Sequence, residues 1–356
     1  MKVRVITAAA AAALLAVGLW QAPAGAAIVT PANAAAGCAG FSQTSRHTTA
    51  AAGGGSATVQ TFSSTGGTRI TTTTPPAGWS PLTATDQQLK AYGFRPRPTD
   101  AGKLAAWRQM YAHYRGVVTP KFCTTDRRNG VSSGNWSGIL ATSSTYTEAE
   151  GEWMEPSFVA VCSTQSSYSM WPGIGGFFGG SSGFKLIQAG TDTGTASVND
   201  VYTWIELISG AHPFPEIETN APVSPGDTMA IWVAWDAANQ AADFEIYNVT
   251  QGWDGTLAVT AVNGVAASNF YDGGSAEVIS ERATNSSSGA LYQLRKPSTG
   301  YANYYDAEFN DSPAYNDTSL ETVTMQAGDV LSTADNLYGN RNTGFTSWTT
   351  TWHNCS

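Results

Sequence analysis

An all-β fold, an antiparallel β-sandwich of two packed sheets, is predicted for residues 129–356, and a partly helical segment precedes it. Residues 229–235 are rich in branched and aromatic side chains, and the segment that starts at Asp243 places Phe244 and Ile246 on one face. Turn-forming residues separate the strand-like segments, at 224–227, 272–274 and 326–329. About 226 residues of this pattern fit one sandwich domain with a sizeable core.

Two further segments are predicted strands. In Y-T-E-A-E-G-E-W, acidic residues at 148, 150 and 152 alternate with neutral ones, as in a strand at a sheet edge or facing solvent. F-K-L-I-Q, from Phe184, also has strand character.

The N-terminus, residues 1–26, is predicted to be a secretory signal peptide. Lys2 and Arg4 precede a short apolar run, and the small residues Ala24-Gly25-Ala26 follow it. That run is too short to anchor the chain in a bilayer, and no later stretch is long enough. We therefore expect a secreted, extracellular protein without a membrane partner, acting as a monomer.

Residues 27–128, the leader, are predicted to be a propeptide. Up to about residue 76 it is rich in Ala, Gly, Ser and Thr, which predicts a poorly ordered linker. T-A-T-D-Q-Q-L-K-A-Y-G-F and P-T-D-A-G-K-L-A-A-W-R-Q-M-Y-A-H-Y-R follow and predict two helices, the second capped by Thr99. The apolar face of the second helix is expected to pack on the downstream domain; it comprises Leu104, Trp107, Met110, Tyr111 and Tyr114. The dibasic pair Arg127-Arg128 is a candidate processing site.

Charge is divided unequally between the leader and residues 129–356, the body. From residue 131 onward there are 5 Lys and Arg residues against 24 Asp and Glu, whereas residues 79–130 hold 9 basic and 3 acidic residues. This asymmetry predicts that the basic leader docks on the acidic body and acts as an intramolecular inhibitor. It also argues against nucleic acid as a partner for the body. The alternative is that the acidic surface only keeps a secreted protein soluble.

Four cysteines, an even number in an exported chain, favour two disulfides. Three connectivities are open. Processing after Arg128 would leave two cysteines on each side, which favours Cys38 with Cys123 and Cys162 with Cys355.

Several kinds of active site are disfavoured. G-G-S-S-G, from Gly179, matches the nucleophile elbow G-x-S-x-G, but a strand follows it where a helix is needed. A serine triad needs a histidine base, and the body holds only His212, in a predicted loop, and His353. No metal-binding motif and no phosphate-binding loop is present, so we expect neither metal nor cofactor.

Carboxylate chemistry remains. A carboxyl group can act first as general base on a water molecule and then as general acid on a leaving nitrogen, if its pKa lies near the working pH. A primary amide beside it can hold the water and donate a hydrogen bond to the oxyanion, and it stays neutral in acid.

Five motifs in order carry a family resemblance: N-W-S-G from Asn135, W-P-G-I-G-G from Trp171, I-Q-A-G-T-D from Ile187, T-W-I-E from Thr203 and S-A-E-V-I-S-E from Ser275. Together they resemble the glutamic peptidase (eqolisin) family, from about Asn135 to the C-terminus. The resemblance implies a sandwich similar to the concanavalin-like lectins, and a peptidase that acts on proteins or peptides at acid pH without metal. It implies that Gln188 and Glu277 are the catalytic pair. It further implies that five residues line or brace the cleft: Trp136, Trp171, Asp192, Trp204 and Glu206.

Two positions depart from the family pattern. An acidic residue is usual where this chain has Gly175, and Tyr202 stands where a cleft aspartate is expected, with Asp200 shifted from it. Both changes bear on substrate preference. Two other hypotheses are therefore kept: a lectin-like carbohydrate-binding sandwich, suggested by the 12 tryptophans, and a catalytically inactive relative.

Overall fold

The structure, a computed structural model, describes most of the chain after residue 40. The described residues are 41–118, 122–124, 127–128, 134–162, 165–178, 183–194, 200–219, 221–285, 290–340 and 345–355. They belong to one compact unit that includes both leader and body. The predicted signal peptide, the first part of the predicted linker and Cys38 lie outside the described residues.

The leader contributes both strands and helices. These are β1 (Phe41–Ala50), β2 (Ser56–Ser64), β3 (Arg69–Thr74), α1 (Asp86–Tyr92), α2 (Ala101–Met110), β4 (Gly116–Val117), β5 (Cys123–Thr124) and β6 (Arg127–Arg128).

The body is built from strands joined by turns and short 3₁₀ segments. Its strands are β7 (Trp136–Ala141), β8 (Glu148–Met154), β9 (Phe158–Val159), β10 (Ser166–Ser167), β11 (Ser169–Gly175), β12 (Lys185–Thr193), β13 (Val201–Ser209), β14 (Ile217–Glu218), β15 (Thr228–Asp236), β16 (Ala241–Asn248), β17 (Trp253–Val262), β18 (Val265–Ala266), β19 (Ala276–Glu281), β20 (Thr284–Asn285), β21 (Gln293–Leu294), β22 (Lys296–Pro297), β23 (Tyr301–Phe309), β24 (Ser312–Pro313), β25 (Glu321–Val323), β26 (Met325–Ala327), β27 (Asp329–Asn340) and β28 (Phe345–Trp352).

Two large sheets pack face to face, which confirms the predicted β-sandwich. The eight-stranded sheet has the order β25-β7-β19-β11-β12-β13-β14-β5. The fourteen-stranded sheet has the order β1-β2-β3-β17-β16-β15-β8-β23-β28-β27-β26, with β4 and β18 paired to β17 and β24 paired to β23. Pairing within both sheets is antiparallel, apart from the short parallel pair of β4 with β17.

The main core lies between the sheets and follows the alternation of side chains along the strands. Ile187 and Val278 enter it from the eight-stranded sheet, and Ile231 and Phe244 enter it from the fourteen-stranded sheet. Phe244 and Ile246 share this face, as predicted. Neighbouring residues in a strand point to opposite faces. On the eight-stranded sheet, the residues that alternate with core residues such as Ile187 and Val278 therefore point away from the core. That outer face carries the candidate site.

The Ala, Gly, Ser and Thr-rich stretch requires a correction. The prediction of a poorly ordered linker is wrong for residues 41–74, which form β1, β2 and β3, and β3 pairs with β17 of the body. The glycine tract at 53–55 is the turn between β1 and β2, where all three residues have positive φ angles that glycine adopts freely. Threonine favours strands because its branched side chain fits a pleated surface. The low-complexity composition of residues 41–74 therefore did not indicate that they form three strands of the larger sheet.

Both predicted helices are present. Thr85 caps α1 in a reciprocal capping box. The predicted cap of α2 is wrong by one residue, because Asp100 rather than Thr99 takes that position. The Asp100 carboxylate accepts hydrogen bonds at 2.9 and 3.0 Å from backbone N–H groups of the first turn. A charged carboxylate there also favours the positive end of the helix dipole.

The helices pack on the outer face of the fourteen-stranded sheet. Trp107 and Tyr111 are buried in a cluster with Ala230 and Tyr247 of the body, and the rings of Tyr111 and Tyr247 stack with their centroids 5.2 Å apart. The predicted packing of the apolar helix face on the body is therefore confirmed. The two sheets separate this contact from the outer face of the eight-stranded sheet.

Ion pairs link the leader to the acidic body, as the charge asymmetry predicts. Arg95 is buried; its Nε donates to Glu245 Oε2 at 2.9 Å, and its guanidinium also pairs with Glu150. Nζ of Lys103 lies 2.8 Å from Glu308 Oε2. These contacts belong to the helical part of the leader and to the fourteen-stranded sheet.

The acidic strand β8 is not at an edge, which corrects one alternative of the prediction. It lies between β15 and β23. Glu148, Glu150 and Glu152 point to the outer face, where the leader packs. Burial raises the pKa of Glu148 and that of Glu152 to about 7, and the charge of Arg95 lowers the pKa of Glu152. The alternation correctly predicts that these three glutamates share one outward face, but the leader covers part of that face.

The disulfide between Cys162 and Cys355 is present and joins positions 193 residues apart. It confirms one of the two favoured pairings, whereas the pairing of Cys38 with Cys123 stays a prediction. No helix in the described part of the chain is long and apolar enough to cross a membrane.

Candidate active site

Gln188 and Glu277 lie in one row across three adjacent strands of the eight-stranded sheet. Gly173 of β11 is opposite Gln188 of β12 on one side and opposite Glu277 of β19 on the other. Directly paired residues project to the same face, and neighbouring strands are about 4.8 Å apart, so the two Cα atoms are about 10 Å apart. The side chains of Gln188 and Glu277 can therefore extend toward one another above Gly173.

Gly173 leaves a gap between these two side chains. A Cβ atom there would lie 2.9 Å from a ring carbon of Trp171, 3.1 Å from Glu277 Oε1 and 3.1 Å from Leu186 Cδ1. Any larger residue would fill the space that separates the amide from the carboxyl group. The glycine therefore keeps room for a small molecule, such as water, between them.

The amide of Gln188 is oriented by Glu206. These residues are opposite each other on β12 and β13, and Gln188 Nε2 donates to Glu206 Oε2. Because a carboxylate attracts the N–H end of an amide, Glu206 fixes which end of the side chain faces it. One N–H of Gln188 remains for another acceptor. Among the described residues, no donor reaches Gln188 Oε1.

Glu277 is in a strongly desolvated position. Its side chain is completely buried, and this burial raises its pKa well above the ordinary value. The hydroxyl group of Ser275 lowers the pKa of Glu277, and the charge of Asp272 raises it. Burial disfavours the charged form of a carboxyl group, which is the reason for the raised pKa of Glu277.

Trp136 and Trp171 lie beside the row, displaced from it along β7 and β11. Their ring centroids lie 5.0 Å apart in an edge-to-face arrangement. Trp171 Nε1 donates to Glu281 Oε2 at 2.8 Å, and Asn135 Nδ2 donates to the other oxygen of Glu281. Burial raises the pKa of Glu281 well above its ordinary value, although the hydrogen bond from Trp171 lowers it. Glu281 thus ties two of the predicted motifs together.

Glu281 was not among the predicted site residues. It lies in S-A-E-V-I-S-E, four residues after Glu277, so strand alternation places both on the same face. That spacing was the available signal. A glutamate in this completely buried strand needs a hydrogen-bond partner, and sequence alone did not show that Trp171 supplies it.

The remaining predicted residues lie on the same face. Trp204 is buried beside Trp171 in a second apolar cluster, which also holds Leu186 and Ile279. Asp192 is buried farther along β12, opposite Tyr202 of β13, and its charge raises the pKa of Glu281. The structure therefore brings all seven predicted residues together on one face.

Other candidate groups stay outside this face or form no site. His212 lies in the loop between β13 and β14, where its ring stacks on Phe214 at 5.8 Å, as predicted for a loop residue. Most of G-G-S-S-G lies outside the described residues. Within the described ranges, no three His, Cys, Asp or Glu side chains are grouped so that they could hold a metal ion.

Comparisons with known proteins give structural likeness only. No family model and no curated protein matches the sequence. Among solved structures, the chain is similar to scytalido-glutamic peptidase with a transition state analog inhibitor, at 16% identity over 62% of this chain and 98% of that one, with a TM-score of 0.48. A second structure of that peptidase, with a peptide-based transition state analog, gives 16% identity over the same shares and a TM-score of 0.42. SCP-B, a member of the eqolisin family in complex with the tripeptide Ala-Ile-His, gives 15% identity over the same shares and a TM-score of 0.41.

Proposed function

We propose that this chain is the precursor of a secreted endopeptidase that hydrolyses peptide bonds at acid pH with Gln188 and Glu277. The observation that supports this is the row in which these side chains flank Gly173 on one face of the sheet. The five ordered motifs of the sequence support the same function. Proteins or peptides are the substrates, and the reaction proposed here uses neither metal nor cofactor.

The chemistry follows from the two functional groups. Ionised Glu277 takes a proton from a water molecule in the gap above Gly173 while the water oxygen bonds to the carbonyl carbon of the substrate. The carbonyl oxygen becomes an oxyanion and accepts a hydrogen bond from the N–H of Gln188 that Glu206 does not use. Glu277 then gives the proton to the amide nitrogen, and the C–N bond breaks. Products are a carboxylic acid and an amine, and Glu277 returns to its ionised state.

The full chain is proposed to be a latent form. Gln188 and Glu277 are completely buried, and a protonated Glu277 cannot act as a base. Two leader strands border the site: β5 pairs with β14 beside Trp204, and β6 pairs with β20, which starts at Thr284, shortly after Glu281. Displacing the leader would open this face to water and let Glu277 ionise in acid. Cleavage after Arg128 would accomplish this.

Acid digestion of an unfolded protein tests the proposal. The full-length chain is incubated at about pH 3 to 4, near the reference pKa of carboxyl groups, and cleavage of the unfolded protein is followed in the presence of pepstatin. We expect cleavage after a lag, with a new N-terminus near residue 129. Glu277→Gln should abolish it, whereas Glu321→Gln, an exposed glutamate in the edge strand β25, should not. Equal cleavage by the Glu277→Gln chain would reject the mechanism.

The carbohydrate-binding hypothesis lacks support from the candidate site. Trp136, Trp171 and Trp204 are buried in contact with other side chains, so they present no open ring on which a sugar could stack. The inactive-relative hypothesis predicts an intact fold with no cleavage in the same assay.

A further inference from the structure

Asp272 places a carboxyl group beside the candidate site, next to a glycine that cannot carry a side chain. Gly175 lies two residues after Gly173, at the end of β11. Its φ angle is +90°, and an added Cβ would collide with the Lys185 carbonyl oxygen and lie 3.0 Å from Asp272 Oδ1. The carboxyl group of Asp272 therefore lies directly beside Gly175, and its charge acts on Glu277.

The loop that carries Asp272 is held in place by the body. Asp272 Oδ1 accepts a hydrogen bond from the Gly274 N–H at 2.9 Å. Tyr271 donates its hydroxyl to the carbonyl of Tyr146 at 2.8 Å, and its ring stacks on Trp235 with centroids 4.9 Å apart. These contacts on either side fix the direction of the Asp272 carboxyl group.

Asp272 is exposed, whereas Gln188 and Glu277 are completely buried. The nearby Phe177 and Phe178 are also exposed, at 46% and 51%, with their rings 5.2 Å apart. Among the described residues, Asp272 forms no ion pair. A fixed and exposed carboxylate, beside an exposed aromatic pair, attracts a positively charged group that binds near the Gly175 end of β11.

The distance of Asp272 from the catalytic pair, measured along β11, defines which substrate side chain it would face. Two residues of a strand span about 7 Å, so the space above Gly175 is displaced by that amount from the space above Gly173, where the cleaved bond would lie. The substrate is taken to bind as an extended peptide parallel to β11, which covers the same distance in two residues. The carboxyl group thus faces a side chain one or two residues from the cleaved bond, on one side of it only.

We propose that Asp272 is a specificity-determining residue that selects substrates with a positively charged side chain at one of these positions. The inference rests on the proposed peptidase function and adds a substrate preference to it. Asp272 does not take part in bond breaking. The space above Gly175 is free of any side chain from β11, and the charge that defines it comes from the loop before β19.

Paired peptides test this preference. Peptides that differ only in lysine or norleucine, at each of the two positions on either side of one cleavable bond, are digested at pH 5 by the chain after its acid incubation. We expect kcat/KM to favour lysine about fivefold at a position on one side, as for a partly exposed charge pair. Asp272→Asn should bring the ratio of lysine to norleucine cleavage, both measured with that variant, down to about one, and Asp272→Lys should favour glutamate over lysine. Asp329→Asn, an exposed aspartate of the other sheet, is the matched control.

The outcomes separate the two proposals. An unchanged ratio of lysine to norleucine cleavage in Asp272→Asn overturns the specificity role while the peptidase function stands. If no peptide is cleaved, binding of the lysine and norleucine peptides to the same preparation is measured by calorimetry. Equal binding, or none, overturns the role of Asp272 without any need for catalysis. Tighter binding of the lysine peptide that is lost in Asp272→Asn supports it.

Discussion

At the scale of single residues, a missing side chain shapes the site. Gly173 lies midway between Gln188 and Glu277, and nothing else on β11 could leave that space open. The packing around it is already tight, because three neighbouring side chains lie about 3 Å from where a Cβ would be. The proposed water site therefore depends on this glycine as much as on the two reactive groups.

Gly173→Ala is expected to remove activity and leave the fold intact. The added methyl group would press on the Trp171 ring and on Glu277 Oε1, displacing the carboxyl group from the gap. We expect kcat/KM to fall by about 100-fold, as for a misplacement of about 1 Å, and stability to fall by about 1–3 kcal/mol. Thermal unfolding and peptide cleavage measure the two effects. Gly183→Ala, where a Cβ meets nothing within 4 Å, is the control, and equal activity of both variants would contradict the prediction.

Glu206 is expected to act through Gln188. Glu206→Leu removes the acceptor that orients the amide, so kcat should fall by about tenfold to 100-fold with little change in KM. Glu206→Gln keeps an acceptor oxygen at the same place and should restore most of the activity. Steady-state kinetics on one peptide measures both constants. A rise in KM alone, or no rescue by glutamine, would show that Glu206 does not position the amide.

The sequence predicts some of these site residues and not others. Gln188 and Glu277 came from the ordered motifs, because no local pattern distinguishes this glutamine from other strand glutamines. Glu281 was missed, since its partner Trp171 comes from a distant part of the chain. Asp272 was assigned only to a turn, because its nearness to Gly175 depends on how β19 and β11 pair. Contacts between strands decide such roles, and a single sequence does not contain them.

At the scale of elements, the spacing of apolar residues and the residue composition predicted the strands and helices of the core, but not the strands at the N-terminal end. Branched and aromatic composition identified β15, whereas alternation identified β16 and helical spacing identified α2, because each of these two spacings reports one buried face. The same reasoning failed for β1 to β3, where threonine and serine dominate and few residues are apolar. Only Ile70 of β3 enters the main core, and one buried residue does not make a visible pattern.

Ile70 offers a test of whether β3 belongs to the folding unit. Its side chain is completely buried among body residues, and its strand partner is Val259 of β17. Ile70→Ala should lower the free energy of unfolding of the full chain by about 2–5 kcal/mol, the usual cost of such a cavity. Denaturant unfolding measures this cost. The neighbouring Arg69→Ala, at an exposed position, should change it little, and a similar small effect of both would place β3 outside the core.

At the scale of the whole molecule, the charge asymmetry predicted that the leader binds the body, but not which sheet of the body it binds. Arg95 and Lys103 meet body carboxylates, yet they do so on the fourteen-stranded sheet and not over Glu277. The predicted inhibition by the leader therefore does not come from the described cations of α2 and the segment before it, which do not reach Glu277. Net charge shows which segments attract one another, whereas apolar residues such as Trp107 decide where they pack.

The carboxyl groups under the leader contribute to the pH dependence of stability. Burial raises the pKa of Glu152 to about 7 and that of Asp306 well above its ordinary value, so the folded chain binds more protons than the unfolded chain. The stability they contribute is complete below the unfolded pKa and is lost as pH rises through the folded pKa. Asp317 and Asp335 have lowered pKa values, with hydrogen bonds to each, and their contribution is lost only in stronger acid.

The full-length chain should therefore be more stable at pH 5 than at pH 8. Its unfolding temperature should fall between pH 4.5 and about 7, the interval between the ordinary and the raised pKa of Glu152. Glu152→Gln keeps the shape of the side chain but cannot ionise, so it should flatten this decline, whereas the exposed Glu321→Gln should not. Scanning calorimetry in buffers of constant ionic strength measures the slope. A stability that rises steadily from pH 5 to pH 8 would mean that these carboxyl groups are ionised beneath the leader, held there by Arg95 and Lys103.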